Sequence, residues 1–322
     1  MAKKSAKRAE NVLALAADRG VRLVGMELLD DASAAADKLE RARDAKTLHA
    51  FRVALRRLRS WLRAFKSELR GAVRRKDRRR LRDIAAATNL GRDTDVQIEW
   101  LREAAKGLSR KRKRGADWLA QYLAVRQRQA GDPLDAALLK EFDSVRQRLA
   151  EALSTVTVPV RPDEAPRMPL ARLLAGRMMQ HVDALAAELR NVRSSTDEEM
   201  AHRARIAAKR LRYLLEPAVA HARKGEKLLV RLKGLQDELG ALHDAHVMGH
   251  QLKTAMQASA SASVNGLVPD APRDGLAALQ GRLEADTTRA FERMSADWRD
   301  GALATFSRDV AGFARRLEES YR

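Results

Sequence analysis

Apolar residues recur at three- and four-residue intervals along almost the whole chain, the spacing that gathers them on one face of a helix. No β-rich segment interrupts this pattern, and it predicts an all-α fold. The breaks organise it. The clearest is STVTVPVRPDEAPRMP, Ser154 to Pro169, whose four prolines and β-branched residues read as an interdomain linker. A second, SASASVNGLVPDAPRDG from Ser259 to Gly275, reads as a polar loop, with smaller punctuation at Gly71, at Gly115 and at Gly131 to Pro133. Between the breaks the pattern predicts helices over roughly 20–44, 47–71, 74–106 and 114–153, then 168–193, 197–222, 225–258 and 275–320. Short connections favour antiparallel neighbours and hence two four-helix bundles. The expected organisation is a basic arm or helix over 1–20, a first half over 21–153, a linker over 154–168 and a second half over 169–322.

The stretch LHAFRVALRRLRSWLRAFKSELR, Leu48 to Arg70, shows how the polar faces are built. Phe51, Leu55, Leu58, Leu62, Phe65 and Leu69 form one stripe at helical spacing. Arg52, Arg56, Arg59, Arg63, Lys66 and Arg70 form another, all within about 40° of one line, with His49 one turn earlier. Glu68 is the sole acid of the stretch, so no i,i+4 carboxylates relieve the repulsion. At 1.5 Å per residue the cation line is about 27 Å long. One phosphate would engage two or three of these side chains, whereas a continuous rail suits an extended anion. Arginine's planar fork also donates two parallel hydrogen bonds to phosphate. Arg57 belongs to neither stripe and is expected to reach an acid on a neighbouring helix, with Asp93 and Asp95 as candidates.

Charge sharpens this picture. The 322 residues carry a net +20, and it is uneven. Residues 1–150 hold 37 Lys/Arg against 20 Asp/Glu, residues 151–322 hold 26 against 23, and Arg41–Arg82 alone holds 17 against 3. Such density opposes folding by self-repulsion, and an anionic partner is the simplest compensation. On the next predicted helix Arg75, Arg78, Arg79 and Arg82 share a face beside Leu81 and Ile84. In the second half Lys224, Lys227 and Arg231 flank Leu228, Leu232 and Leu235. If these basic flanks point inward between the bundles, they line a positive channel. RKRKR, Arg110 to Arg114, reads as a solvated turn or a loose outer contact. Aromatics are only 4% of the chain, so the core is expected from Ala, Leu and Val.

The halves look alike. LHAFRVALRRLRSWL (Leu48 to Leu62) lies over AHRARIAAKRLRYLL (Ala201 to Leu215), matching His49 with His202, Arg52 with Arg205, Arg56 with Lys209 and Arg59 with Arg212. RDTDV (Arg92 to Val96) lies over HDAHV (His243 to Val247), and the histidine-to-aspartate distance is 44 residues in one half and 42 in the other. Agreement in order and spacing points to an internal duplication.

These paired motifs, HAFRVALRRLR with HRARIAAKRLR and LRDIAAATNLGRDTDV with LVRLKGLQDELGALHDAHV, resemble the CHAD family, the conserved histidine α-helical domain. The resemblance covers roughly Val21 to Tyr321. It implies a pseudo-twofold pair of four-helix bundles, binding of inorganic polyphosphate in a basic central cavity, and association with polyphosphate granules. Carried over by position, the ligand contacts are His49, Arg52, Arg56, Arg59 and Arg63, and in the second half His202, Arg205, Lys209 and Arg212. Some members carry a triphosphate-tunnel domain with a Glu-x-Glu-x-Lys strand, and no such motif occurs here.

Other chemistries receive less from the sequence. Cysteine is absent, which excludes disulfides and thiolate metal sites and is compatible with a reducing, cytoplasmic compartment. No apolar run approaches the roughly 18 residues of a membrane span, and the basic first 20 residues do not read as a signal peptide. His246 and His250 are spaced to chelate a metal from one helix face, with His243 nearby, but ordinary packing histidines fit the pattern as well. There is no Gly-rich phosphate loop and no Gly-x-Ser-x-Gly elbow. The expectation is a non-enzymatic polyphosphate-binding protein needing no cofactor. A general nucleic-acid binder is the alternative, disfavoured because the cation stripe lacks exposed interleaved aromatics. A metal-dependent polyphosphatase comes third.

Overall fold

The computed structural model describes residues 12–88, 92–129, 136–154, 168–220, 225–264, 273–299 and 301–321, with backbone alone at 92–95, 127–129, 136 and 261–264. Among the described residues eleven long helices follow one another: α1 (Ala17–Ala42), α2 (Ala45–Ala64), α3 (Arg75–Ala87), α4 (Arg92–Lys106), α5 (Arg110–Gln129), α6 (Ala136–Ser154), α7 (Leu170–Asn191), α8 (Glu198–Val219), α9 (Glu226–Val264), α10 (Arg273–Trp298) and α11 (Gly301–Glu319). The all-α expectation holds. Residues 1–11, 89–91, Gly131–Pro133, most of the Pro-rich linker, Lys224 and the centre of the second loop lie outside the described residues, as do the side chains of Asp93 and Asp95.

Two closed rings of four helices carry the fold. In one, α1 packs on α2, α2 on α3, α3 on α6 and α6 back on α1; in the other, α7, α8, α9 and α11 close in the same way. The rings meet where α1 touches α7 and α2 touches α8. The predicted apolar stripe of α2 is what the first ring buries: Phe51, Leu55, Leu58 and Phe65 are 0% exposed. Trp61 joins them, and its indole N–H donates to the Val21 carbonyl at 2.9 Å, so the polar edge of this large side chain is satisfied inside the core. α2 starts on a capping box, with Asp44 accepting from the Thr47 amide at 2.7 Å and Thr47 Oγ1 accepting from the Asp44 amide at 3.2 Å.

The four-helix spans predicted for each half needed revision. The stretch 74–106 is two helices, α3 and α4, and 114–153 is also two, α5 and α6. The hairpin of α4 and α5 leaves the first ring and packs on the outer part of α9 and on α10, around a separate core of Leu101, Leu119, Leu123, Met248, Leu252 and Leu279. Helix α9 runs 39 residues and continues through the SASASV run that read as loop. Gly115 and Gly275 are not punctuation. They lie within α5 and α10 where the two backbones cross, and a Cβ on Gly115 would stand 2.7 Å from the Gly275 Cα. Gly71 is a true turn, with φ 84°. Within the stretch expected as an N-terminal arm or helix, Val12 and Leu13 are buried, and Ala16 bridges Pro169 through paired backbone hydrogen bonds.

Candidate anion-binding site

Helix α2 turns its second stripe outward toward α3 and α8, and the space between the three is a cleft of about 370 Å³. Arg56, Arg59, Arg63 and Lys66 form its floor from α2 and the turn that follows. Arg75, Arg78 and Arg82 come from α3, and Lys209 and Arg210 from α8 of the other ring. The apolar lining is Leu62, Leu81, Ile206 and Tyr213, and no carboxylate contributes among the described residues.

A second cleft, about 630 Å³, shares Arg63, Lys66, Arg75 and Arg78 with the first and adds Arg70, Arg74 and Arg177. The two clefts are therefore one trough, walled by twelve cations. The α2 helix itself ends at Ala64, so Lys66 and Arg70 project from the turns beyond it rather than from a helical rail. They stay on the trough because Phe65 and Leu69, both 0% exposed, pin those turns to the core.

Burial and neighbouring cations act on three of the trough's guanidiniums. Burial, then Arg63, Arg56 and Arg82, lower the pKa of Arg59, and Asp83 opposes them. Burial lowers Arg78, and burial followed by Arg63 lowers Arg210. The walls are clamped by acids outside the trough. Glu216 of α8 pairs with Arg57 of α2 at 2.8 Å and with Arg212 of its own helix at 2.8 Å, tying the rings together. Glu68 pairs with Arg177 of α7 at 3.2 Å, and Ser67 Oγ accepts from the same guanidinium at 3.1 Å. The buried Asp77 in the first turn of α3 pairs with Arg148 of α6 at 2.8 Å.

The structure thus brings Arg56, Arg59, Arg63, Lys66, Arg75, Arg78, Arg82 and Lys209 together from the sequence-derived set. It places others elsewhere. Arg52 is 6% exposed, inside the ring. Arg212 is drawn to Glu216 and Gln236, its Nη1 donating to the glutamine Oε1 at 2.8 Å. Lys227 and Arg231 belong to a different cleft between α9 and α11, where Arg231 pairs with Asp309 at 2.7 Å. His49 and His202 are exposed and do not line the trough. His202 instead packs on His243, ring centroids 5.2 Å apart, with Arg205 and Lys209 acting on the same imidazole. Burial and those three groups push His243 down to about 4, against the opposing pull of Glu198. The acid expected for Arg57 is Glu216, and Arg210, matched to Arg57 in the alignment of the halves, faces the trough.

Arg177 belongs to no basic stripe, since the other arginines of α7, Arg172 and Arg190, lie five and thirteen residues away; the isolated Glu68 that fixes it is the one signal the sequence offers. The two histidines spaced to chelate a metal are each engaged with a different partner. His246 Nε2 lies 2.7 Å from the Ser195 carbonyl and His250 Nε2 lies 2.8 Å from Glu198, and among the described residues no group of three or more His, Asp or Glu could hold a metal ion.

The CHAD domain model matches residues 25–253 of the chain. The chain belongs to the CHAD family. The crystal structure of the CHAD domain from the plant Ricinus communis superposes with a TM-score of 0.60 at 20% identity, covering 95% of this chain and 93% of that one. PptA from Streptomyces chartreusis gives a TM-score of 0.50 at 18% identity, over 95% and 99%. At these identities the two structures speak for the fold alone. No curated protein sequence matches the chain. No helix among the described residues is long and apolar enough to cross a membrane.

Proposed function

We propose that the chain binds inorganic polyphosphate lengthwise in the trough between α2, α3 and α8, without hydrolysing it, and that its place is the cytoplasm, at polyphosphate granules. The observation that carries this reading is the trough's composition. Twelve cations from both rings and the α2–α3 turn face one continuous space with no carboxylate among the described lining residues. A compact anion would leave most of them uncompensated. A linear polyanion neutralises them in sequence and releases its own counterions, so its affinity falls steeply with salt. Arginines outnumber lysines in the lining, which suits paired hydrogen bonds to phosphoryl oxygens. The one aromatic lining residue, Tyr213, is 6% exposed, and base stacking has little ring surface to use. A phosphoryl-transfer centre would want carboxylates to hold a divalent metal beside the cations, and the described lining supplies none. An internal duplication accounts for the two-sided wall: Arg56 and Lys209, matched in the two copies, face the same trough.

The test is a competition titration of the full chain with long-chain polyphosphate, single-stranded DNA and RNA at matched charge and near-physiological salt. Polyphosphate should win by at least about tenfold, a margin of roughly 1.4 kcal/mol. Equal affinities would sink the specific reading, and release of phosphate on adding Mg²⁺ or Mn²⁺ would establish an enzyme instead.

A further inference from the structure

A second cavity shares no residue with the trough. The loop that leads into α8, the outer part of α9 and the middle of α10 line a cleft of about 930 Å³, larger than either cleft of the trough. Its floor is apolar, with Leu252, Met256 and Leu283 at its base. Its rim runs against the charge of the molecule. In a chain of net +20, two carboxylates, Glu198 and Glu284, face this cleft with one lysine, Lys253. Glu198 accepts from His250 Nε2 at 2.8 Å, and Glu284 from Gln280 Nε2 at 3.0 Å. An apolar pocket of this size with a few polar groups at its edge is the usual form of a small-molecule site.

Two further observations point to an occupant. His246, on the cleft wall, has its Nε2 2.7 Å from the Ser195 carbonyl, so that nitrogen carries the proton. Nδ1 is then an acceptor, and it is buried with no hydrogen-bond partner among the described residues. Gly249 lies one turn along the same wall, inside a 39-residue helix. A Cβ there would meet only the Leu283 side chain, at 3.6 Å, which is ordinary contact. Helix packing therefore does not require glycine, the poorest helix former after proline, and its missing side chain leaves space in the cleft. We propose that this cleft binds a small organic amine. The apolar body lies on the Leu252, Met256 and Leu283 floor, and the ammonium N–H groups answer the rim carboxylates and the His246 acceptor. The same carboxylates repel a polyphosphate chain, so the two sites differ in ligand as well as in place, and the inference stands apart from the polyphosphate reading.

The experiment is titration of the full chain at pH 7.5 and 0.1 M salt with three probe amines, phenethylamine, hexylamine and tryptamine. 3-Phenylpropanoate and 2-phenylethanol serve as the matched carboxylate and neutral probes. Methionine-methyl NMR locates the binding through Met256. At least one amine should bind saturably, shift the Met256 methyl, and bind about tenfold or more tighter than 3-phenylpropanoate. Glu198→Gln and Glu284→Gln should each weaken it about threefold or more, and Gly249→Leu, which fills the cleft, should abolish it. All three variants should keep the wild-type affinity for polyphosphate. The two rim substitutions are at the surface and leave the test standing even if Gly249→Leu does not fold. No saturable binding by any of the amines, a carboxylate that binds as tightly, or amine affinity unchanged in both rim variants would overturn the proposal and leave the polyphosphate reading untouched.

Discussion

Arg59 is the residue at which binding and stability should pull hardest against each other. It lies at the centre of the trough, with Arg56 and Arg63 at i−3 and i+4 on α2 and Arg82 across the cleft on α3. Like-charge neighbours at helical spacing each cost about 0.2–0.5 kcal/mol. Two such neighbours, a third across the cleft and partial burial of the guanidinium bring the total to about 1 kcal/mol. Replacing Arg59 by Gln keeps a polar side chain of similar reach and removes the charge. The variant should therefore be more stable than the wild type by about 1 kcal/mol at low salt, a rise in Tm of roughly 2 °C for a chain of this length. The gain should shrink at 0.5 M salt, where screening acts over about 4 Å. The same substitution should weaken polyphosphate binding and reduce the slope of log affinity against log salt by about 0.7–0.9, one cation's worth of released counterions. Urea unfolding at two salt concentrations, with and without polyphosphate, reads all three quantities. A variant that is destabilised at low salt, or that binds with an unchanged salt slope, would refute the reasoning.

Further substitutions test the scaffold and its titrations. Gly275→Ala places a Cβ against the Arg112 carbonyl and 2.8 Å from the Gly115 Cα, so it should cost about 1–3 kcal/mol in thermal unfolding. Gly281→Ala, with open space around it in the same helix, should be neutral or slightly stabilising. His243 has its pKa depressed to about 4 in the fold, so the unfolded chain binds the extra proton below about 6.5 and stability falls with pH from there to about 4. At pH 5 this amounts to about 1–2 kcal/mol after allowing for partial exposure, and His243→Gln should flatten that limb in pH-dependent urea unfolding. Glu238 runs the other way. Burial and a hydrogen bond to Asp297 raise it to about 7, so it costs stability as pH rises from about 4.5 through 7. Glu238→Gln should stabilise the chain by about 1–2 kcal/mol at pH 8 and leave it unchanged at pH 4.5, again by urea unfolding. Glu216→Gln leaves Arg57 and Arg212 side by side without their shared acid, and should lower the urea midpoint by an amount equivalent to about 1–2 kcal/mol.

The sequence made the faces of single helices readable and left their docking open. The apolar stripe of α2 is the buried one and its cation stripe faces a cleft, because 3.6-residue geometry fixes both directions once the helix is granted. What periodicity does not carry is which neighbour a face meets. Arg212 repeats the position of Arg59, yet Glu216 one turn later captures it, while Arg59 has no acid at that distance. Lys227 and Arg231 lie on a helix of matching pattern whose basic flank turns to α11 instead of to the trough. Arg177 has no local signature at all, since its role arises where α7 meets the α2–α3 turn. Gly115 and Gly275 misled for a related reason. A glycine that ends a helix and a glycine that lets two backbones touch look the same in one dimension.

The central claim is that one trough, and not the general basicity of the chain, holds polyphosphate. It is tested by comparing two variants that remove equal charge. Arg56, Arg59 and Arg63 changed together to Gln strip the trough floor, whereas Arg110, Arg112 and Arg114 changed to Gln strip an exposed basic patch at the start of α5. Titrated with long-chain polyphosphate at near-physiological salt, the trough variant should lose about 100-fold or more in affinity, which corresponds to roughly 0.9 kcal/mol or more per arginine, and the patch variant less than about threefold. Equal losses in the two variants would mean that net charge alone does the binding, and would contradict the account.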